Sequence, residues 1–179
     1  MRGLRAVLGG AVLLAALATC PAAMPAVLPS LELEDQRGAG LELGDLRGTG
    51  VVIVYGTRHA IDESVTWGKK LDARLQARGA YVAAMPESAR PVRIIAVAQM
   101  GGIPGPFRDL VRRALRGKVP HGFSLWLDWD DRLGTLFGAH GTLPTVVVVG
   151  RAGDVRAVVT GPAEGSAWDA VDGAVGQLR

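Results

Sequence analysis

Residues 141 to 154 read Gly-Thr-Leu-Pro-Thr-Val-Val-Val-Val-Gly-Arg-Ala-Gly-Asp, and no other part of the chain says as much about its fold. Proline lacks a main-chain N–H and restricts the residue before it, so Pro144 marks the start of a strand. Four consecutive valines without alternating polar residues are typical of a central strand that is buried on both faces. Residues 150 to 153 supply a turn into a second apolar run, 155 to 160, and the pattern therefore predicts a β-hairpin.

Other apolar runs predict the remaining strands. Residues 51 to 55, Val-Val-Ile-Val-Tyr, lie between glycines and predict a short buried strand. Residues 91 to 98 predict a third core strand, and residues 123 to 127 alternate as a strand does. Residues 31 to 33 and 41 to 43 alternate on either side of a glycine-containing turn, which predicts an edge hairpin.

Apolar residues with helical spacing occur in three longer segments. Residues 61 to 78 and 106 to 116 are each followed by a glycine, and proline suits the first turn of the second helix. A third helix, over residues 164 to 178, is expected to dock on the sheet. The residues predicted to face the core are Ile61, Val65, Leu71 and Leu75; Phe107, Leu110, Val111, Ala114 and Leu115; and Ala167, Trp168, Val171, Ala174, Val175 and Leu178.

The order of strands and helices, with a final hairpin and helix, predicts a central sheet covered on both sides. The 179 residues, 49% hydrophobic and 21% charged, suffice for one domain and are too few for two of ordinary size. Residues 128 to 131, Asp-Trp-Asp-Asp, predict the cap of a short helix that ends near Phe137. The glycine- and proline-rich loop at residues 101 to 105 is either a lid or a plain connection.

The first 30 residues predict export. A basic start precedes an apolar stretch, residues 6 to 18, that is too short to span a bilayer. Residues 1 to 20 are therefore interpreted as a signal peptide. Residues 21 to 30 contain three prolines and no charge, which favours an extended tether, and the domain itself is assigned to residues 31 to 179.

The single cysteine, Cys20, follows Leu17-Ala18-Thr19, a sequence similar to the lipobox of bacterial lipoproteins although Thr19 departs from that pattern. The similarity implies that Cys20 is lipidated and holds the protein at the membrane. Cleavage by an ordinary signal peptidase is the alternative. Both routes predict a bacterial cell-envelope location, either periplasmic or as a membrane-anchored lipoprotein.

The charge of the chain gives little reason to expect a nucleic-acid partner. Loss of residues 1 to 20 would remove Arg2, Arg5 and no acid, so the formal charge would fall from +3 to +1. No basic patch interleaved with aromatic residues accompanies it. The four arginines of the second helix predict a solvated face, with contact to anionic lipid as the alternative; they are Arg108, Arg112, Arg113 and Arg116.

Residues 41 to 178 resemble the exported thioredoxin-like proteins of the TlpA type, a group of redoxins, and more distantly the peroxiredoxins. Thr142-Leu143-Pro144-Thr145 is the most specific match, because it resembles the cis-proline loop of that family. The resemblance implies a thioredoxin-like three-layer α/β/α sandwich, with a central mixed β-sheet and an N-terminal β-hairpin extension.

The redox pair of that family, Cys-x-x-Cys, falls on Ala60 and Glu63 in this chain. The peroxiredoxin motif Thr-x-x-Cys falls on residues 57 to 60 and also ends in alanine. Disulfide exchange requires a thiolate that attacks sulfur, and no other side chain replaces it. The resemblance therefore implies the fold without the activity: a redox-inactive protein with vestigial redox positions, and no catalytic residue, cofactor or metal is expected.

In thioredoxin-like proteins the residue before the cis-proline pairs main chain to main chain with an extended substrate. Leu143 occupies that position here, so the resemblance implies a groove that binds an extended peptide or an envelope protein. The predicted groove residues are Arg58, His59, Asp62, Thr142, Leu143 and Pro144. The alternative is that the groove is vestigial.

A different class of function, acid–base or metal chemistry, remains open at the same place. It would use His59, Asp62, Glu63 and His140, whose spacing matches no metal signature. His121 lies in a Pro-His-Gly sequence and is interpreted as a solvated loop residue. Cys20 acting as a lone thiol is a third possibility.

Overall fold

The computed structural model describes residues 25–82, 84–120, 123–138 and 141–178. The strands are β1 (Glu32–Asp35), β2 (Gly40–Glu42), β3 (Gly50–Gly56), β4 (Val92–Gln99), β5 (Leu125–Asp128), β6 (Thr145–Val149) and β7 (Val155–Thr160). The helices are α1 (Ile61–Ala77), α2 (Gly105–Arg116), α3 (Arg132–Phe137) and α4 (Gly165–Gly176). None of the helices in these described ranges is long and apolar enough to cross a bilayer.

The strands form one mixed sheet in the order β2-β1-β5-β4-β3-β6-β7. β3, β4 and β5 are parallel, because the chain returns through α1 and α2 between them. β6 is antiparallel to β3 and pairs with β7 as the predicted hairpin. The predicted N-terminal hairpin is also present as β1 and β2, and β1 continues the sheet beyond β5.

Both faces of the sheet are covered, as the three-layer prediction requires. The four valines of β6 are at most 2% exposed, and they alternate between the two faces. One face packs against α1 and α4, through Val52, Val54, Val146, Val148, Trp67, Leu71, Leu75, Val171 and Val175. The other face packs against α3 and the N-terminal extension, through Val51, Ile53, Tyr55, Val147, Val149, Leu33, Leu43, Leu133 and Phe137.

The predicted inward face of α1 is wrong in its first two turns. Ile61 and Val65 are 57% and 48% exposed. The buried residues of α1 are instead Trp67, Leu71 and Leu75, which are four residues apart and so lie along one face of the helix. The large indole at position 67 takes the inward direction, which leaves Ile61 and Val65 at the side of the helix.

The prediction that α2 buries an apolar face is also wrong. None of its residues is buried, and Phe107 and Leu110 are 57% and 58% exposed. Arg108 and Arg112, which share the side of α2 that faces the body, make ion pairs with Asp130 and Glu34. These pairs hold the helix in a rotation that leaves part of its apolar side in solvent.

Two further segments differ from their predictions. Residues 26 to 28, from the predicted tether, contact the body: Val27 bridges Asp154, and Leu28 is 5% exposed. The strand predicted at residues 123 to 127 begins two residues later, and Phe123 is 65% exposed.

An ion-pair cluster joins α1 to α4. Arg74 donates from Nε and Nη2 to the two carboxylate oxygens of Asp172, both at 2.8 Å. Arg78 donates to the same carboxylate at 2.9 Å and to the main-chain oxygen of Asp172 at 3.1 Å. The hydrogen bond from Arg74, together with the charge of Arg78, holds the pKa of Asp172 below its ordinary value.

We expect Asp172→Asn to lower the free energy of unfolding by about 1 kcal/mol at pH 7. A carboxyl whose pKa is lower in the folded state stabilises the fold above its unfolded pKa of about 4, and this contribution is lost as the pH falls below that value. Urea unfolding of the two proteins from pH 7 downward should therefore give a difference that shrinks below about pH 4. Asp169→Asn, on the exposed side of α4, is the matched control; an equal effect there would contradict the assignment.

Candidate functional site

Ala60, the first redox position inferred from the resemblance, and Pro144 both lie next to Gly56. Gly56, the last residue of β3, separates them: a Cβ on Gly56 would lie 2.9 Å from the Cβ of Ala60 and 3.4 Å from the Cα of Pro144. Glycine is required here because the segments that hold Ala60 and Pro144 approach position 56 so closely. The end of β3, the start of α1 and the loop before β6 therefore converge at one point.

Ala60 is fully buried at the N-terminus of α1, and the hydroxyl of Ser64 donates to its main-chain oxygen at 2.8 Å. Glu63 does not face an open groove. Its Oε1 accepts from the N–H of Ala163 at 2.6 Å, and Trp67 Nε1 donates to the oxygen of Gly161 at 2.9 Å. At the second redox position the carboxylate thus fixes the loop that precedes α4.

Thr57 connects the two sides of the predicted groove. Its Oγ1 donates to the main-chain oxygen of Gly141 at 2.9 Å and accepts from the N–H of His59 at 3.2 Å. Arg58 Nε donates to His59 Nε2 at 3.2 Å. The structure therefore brings the segment that holds Arg58 and His59 next to the one that holds Thr142 and Leu143.

The six predicted groove residues differ in exposure. Arg58, His59, Asp62 and Thr142 are exposed, Leu143 is 42% exposed, and Pro144 is buried. Asp62 makes no side-chain hydrogen bond or ion pair with any of the described residues, and its main-chain oxygen accepts from the Thr66 hydroxyl at 3.0 Å.

The structure does not contain the cis peptide that was expected at Pro144. Within the described residues every peptide bond is trans, including the one between Leu143 and Pro144. The trans form is the lower-energy isomer by roughly 0.5 to 1 kcal/mol in X–Pro bonds. Sequence alone does not select the isomer. Pro144 nevertheless immediately precedes β6, which begins at Thr145, and the oxygen of Pro144 accepts from the N–H of Gly161 at 3.2 Å.

The main chain of Leu143 is available for pairing. Among the described residues its N–H and C=O make no hydrogen bond, although β6 begins only two residues later. Two exposed apolar side chains, Ile61 and Val65, lie on the first two turns of α1. A free N–H and C=O next to the start of a strand can pair with an extended segment, as in strand addition.

A cleft of about 920 Å³ adjoins this point and was not predicted from the sequence. It lies where β3, β4 and β5 end, which is where ligands bind in open α/β sheets. Its lining residues are Thr57, Arg58, His59, Gln99, Met100, Gly101, Gly102, Ile103, Pro104, Arg108, Trp129, Asp130 and Asp131. The glycine-rich loop of unassigned role thus forms one wall of the cleft.

The opposite wall is built on the start of α3. Asp131 adopts a left-handed conformation with φ of 54°, and its carboxylate accepts from Gln99 Nε2 at 2.6 Å. Gly134 makes room for this pair, since a Cβ there would overlap Asp131 Oδ1. Asp128, which is 3% exposed, accepts from the N–H groups of Arg132 and Leu133 at 3.0 and 2.8 Å. The predicted cap of this helix is therefore Asp128.

Three of the four residues considered for acid–base or metal chemistry, His59, Asp62 and Glu63, are described, and they do not form a metal-binding group. Within residues 25–82, 84–120, 123–138 and 141–178, no three His, Cys, Asp or Glu side chains gather to hold a metal ion. Glu63 is turned toward Ala163, as described above. Burial raises the pKa of Tyr55, whose hydroxyl donates to the oxygen of Leu133 at 3.4 Å, so this phenol stays neutral. His121, His140 and Cys20 lie outside the described residues.

No family model and no curated protein matches this sequence. Solved structures do match it. The exposed lipoprotein thioredoxin of Streptococcus pneumoniae is 16% identical, with a TM-score of 0.54 over 81% of this chain and 98% of its own. A thiol:disulfide interchange protein of Chlorobium tepidum is 15% identical, with a TM-score of 0.51 over 87% and 97%. A secreted disulfide oxidoreductase of Mycobacterium tuberculosis is 15% identical, with a TM-score of 0.50 over 83% and 96%.

The chain has the thioredoxin-like fold. Each of these three structures matches between 81% and 87% of this chain. Within this fold, α1 follows the central strand β3, and Ala60 and Glu63 lie at the start of α1. Of these two residues, Ala60 is the one that lies next to Gly56 together with Pro144. At identities of 14 to 22% the similarity concerns the fold, and the chemistry has to be argued from the side chains present.

Proposed function

We propose that this protein is an exported, redox-inactive thioredoxin-like module that binds an extended peptide or a segment of an envelope protein along Leu143. The proposal rests on two features of the site: a methyl side chain at position 60, and main-chain groups of Leu143 that are available for hydrogen bonding. Ala60 stands beside Pro144 where the resemblance expects a thiol, and the N–H and C=O of Leu143 have no partner among the described residues.

The lack of redox activity follows from chemistry. Thiol–disulfide exchange proceeds by attack of a thiolate on sulfur. The chain has one cysteine, Cys20, within the predicted signal and well before the first strand. The side chains at positions 60 and 63 are a methyl group and a hydrogen-bonded carboxylate, and neither is a nucleophile toward a disulfide.

Binding remains because strand addition uses the main chain and requires no sulfur. A guest paired with Leu143 would extend the sheet near the start of β6. Its apolar side chains would meet Ile61, Val65 and Leu143, which are 57%, 48% and 42% exposed. Its polar side chains would reach the cleft past Arg58 and His59.

Export is supported by the basic and apolar pattern of residues 1 to 20 and by two proteins of similar structure, one an exposed lipoprotein and one secreted. We propose that Cys20 carries the lipid anchor. Metabolic labelling with palmitate should mark the natural chain and leave the Cys20→Ala variant unmarked.

The binding function predicts that Leu143→Asp weakens peptide affinity by at least about tenfold, because a charge beside the pairing position must be desolvated by the guest. Peptides would be selected from a phage-displayed library on the natural chain, and one of them would be titrated by fluorescence anisotropy. Val82→Asp is the matched control, since Val82 is 65% exposed and lies in the connection between α1 and β4.

Three results would count against the binding function: no peptide selected, equal affinity for the natural chain and Leu143→Asp, or equal weakening by Val82→Asp. A selected peptide that is N-methylated at a single amide gives a further check. If main-chain pairing holds the guest, one of these methylated forms should lose affinity while the side chains stay the same.

A further inference from the structure

The outer surface of α2 is the largest departure from the sequence prediction, and the proposed function does not involve it. Phe107, Leu110 and Ala114 form a stripe along α2, because residues three and four apart are neighbours on a helix. All three are exposed, with Phe107 at 57% and Leu110 at 58%. We name these three residues the α2 stripe.

The opposite side of α2 explains why the stripe faces outward. Arg108 donates to Asp130 at 3.0 Å, and its guanidinium lies 5.2 Å from the centroid of the Trp129 ring. Arg112 pairs with Glu34 of β1. Rotating the helix to bury the α2 stripe would break both ion pairs, so the exposed stripe is built into the way this helix is held.

The cations beside the stripe are unpaired. Arg113 lies one turn from Leu110, Arg116 one turn further, and Lys118 just after the helix end. These three side chains are exposed and make no ion pair with any described residue. The one acid of the helix, Asp109, is hydrogen-bonded by Arg112, which lowers its pKa. The surface therefore combines apolar side chains with a net positive charge.

We infer that α2 adsorbs to an anionic lipid bilayer. An interfacial helix with an apolar stripe and flanking cations inserts the stripe at the headgroup boundary, while the cations meet anionic headgroups. A second copy of this chain is a poorer occupant, because a symmetric contact would oppose Arg113 and Arg116 to themselves. Three side chains on one helix are also too few for a stable protein interface, which buries about 800 Å² per partner.

The N-terminal segment of the chain is also consistent with a lipid bilayer as the partner of α2. Seven residues lead from Cys20 to Val27, where the chain joins the body. If Cys20 carries a lipid, Val27 therefore stays within about 25 Å of the bilayer surface. Adsorption of α2 would then be an intramolecular step and favoured by a high effective concentration. The adsorption itself requires no anchor.

A site-specific probe tests this inference in the full chain. Cys20→Ala removes the natural thiol, Leu110→Cys provides one on the stripe, and an environment-sensitive fluorophore is attached there. A matched protein carries the fluorophore at Val82→Cys, at an exposed position on the connection between α1 and β4. Vesicles are phosphatidylcholine with or without phosphatidylglycerol. The N-terminal segment is common to all proteins, so differences between them report on α2.

We expect a blue shift of the probe at position 110 with phosphatidylglycerol vesicles only, none at position 82, and loss of the shift at high salt. Arg113→Glu/Arg116→Glu should lower the partition coefficient at least about tenfold. Because α2 buries no residue, the thermal unfolding midpoint of this double variant should equal that of the protein without the two substitutions.

No shift at position 110, an equal shift with both vesicle types, or an unchanged partition coefficient in the charge variant would overturn the inference. A shift that grows with protein concentration in the absence of vesicles would overturn it in favour of a second copy.

Discussion

Cysteines introduced together at Ala60 and Glu63 are expected to form an intramolecular disulfide and to create a disulfide-reductase activity that the natural chain lacks. Three residues apart at the start of a helix, the two Cα atoms are separated by about 5 Å, which suits a disulfide. The thiolate would face the unpaired N–H groups of α1, and these lower a thiol pKa. Loss of the bond from the Ala163 N–H to Glu63 would cost about 1 to 2 kcal/mol, which the fold should tolerate.

The measurement is thiol titration with and without reductant, followed by an insulin-reduction assay read as turbidity; Cys20→Ala is present in every cysteine variant, and the natural chain is assayed beside them. Ala60→Cys and Glu63→Cys alone are the controls, because one thiol cannot close the intramolecular bond. Reductase activity in the natural chain would contradict the redox-inactive proposal. Two thiols that never pair would contradict the placement of positions 60 and 63 at one helix tip.

The sheet was predictable because each of its central strands has a local signal. The four valines after Pro144 and the run from Val51 to Tyr55 are apolar on both faces, and only a doubly covered strand buries such a run. The turn at residues 150 to 153 fixes the last hairpin. These signals lie within a few residues of the structure they determine.

The rotation of α2 was not predictable, although its periodicity was clear. Periodicity predicts that a helix has two unlike sides but does not say which side contacts the body. Here the choice is made by Glu34 and Asp130, which are 78 and 22 residues away from their arginine partners in the sequence. The charge run that the sequence assigns to solvent is partly the contact with the body.

The candidate site likewise has features that were predictable from the sequence and features that were not. Ala60 and Pro144 were expected to lie near each other because the resemblance aligns both, and in the structure both lie next to Gly56. The direction of Glu63 depends on Ala163, 100 residues further on, and no local pattern reports it. The cleft walls come from four separate segments, so Arg108 and Asp130 gave no sign of lining one site. The binding role of the six groove residues stays a prediction.

Asp128→Ala is expected to lower the free energy of unfolding by about 2 to 4 kcal/mol, the largest loss we expect from one side chain at the cleft. The carboxylate is 3% exposed and accepts from two N–H groups of α3. Removing a charged acceptor leaves the buried N–H of Leu133 and the part-buried N–H of Arg132 without this partner, and a buried donor without a partner costs about 1 to 3 kcal/mol before relaxation. Chemical denaturation followed by circular dichroism measures the change.

Asp130→Ala is the control that distinguishes loss of the helix cap at Asp128 from loss of any negative charge in this region. Asp130 is two residues away, its side chain is 54% exposed, and it pairs with Arg108 and Arg132 at 3.0 and 3.7 Å. Exposed ion pairs contribute at most about 1 kcal/mol. Asp128→Asn keeps one acceptor oxygen, so its loss of unfolding free energy should fall between the losses of Asp128→Ala and Asp130→Ala. Because α3 holds Trp129 to Asp131 against the cleft, losses of equal size in the two alanine variants would mean that the N–H groups of Arg132 and Leu133 do not depend on Asp128.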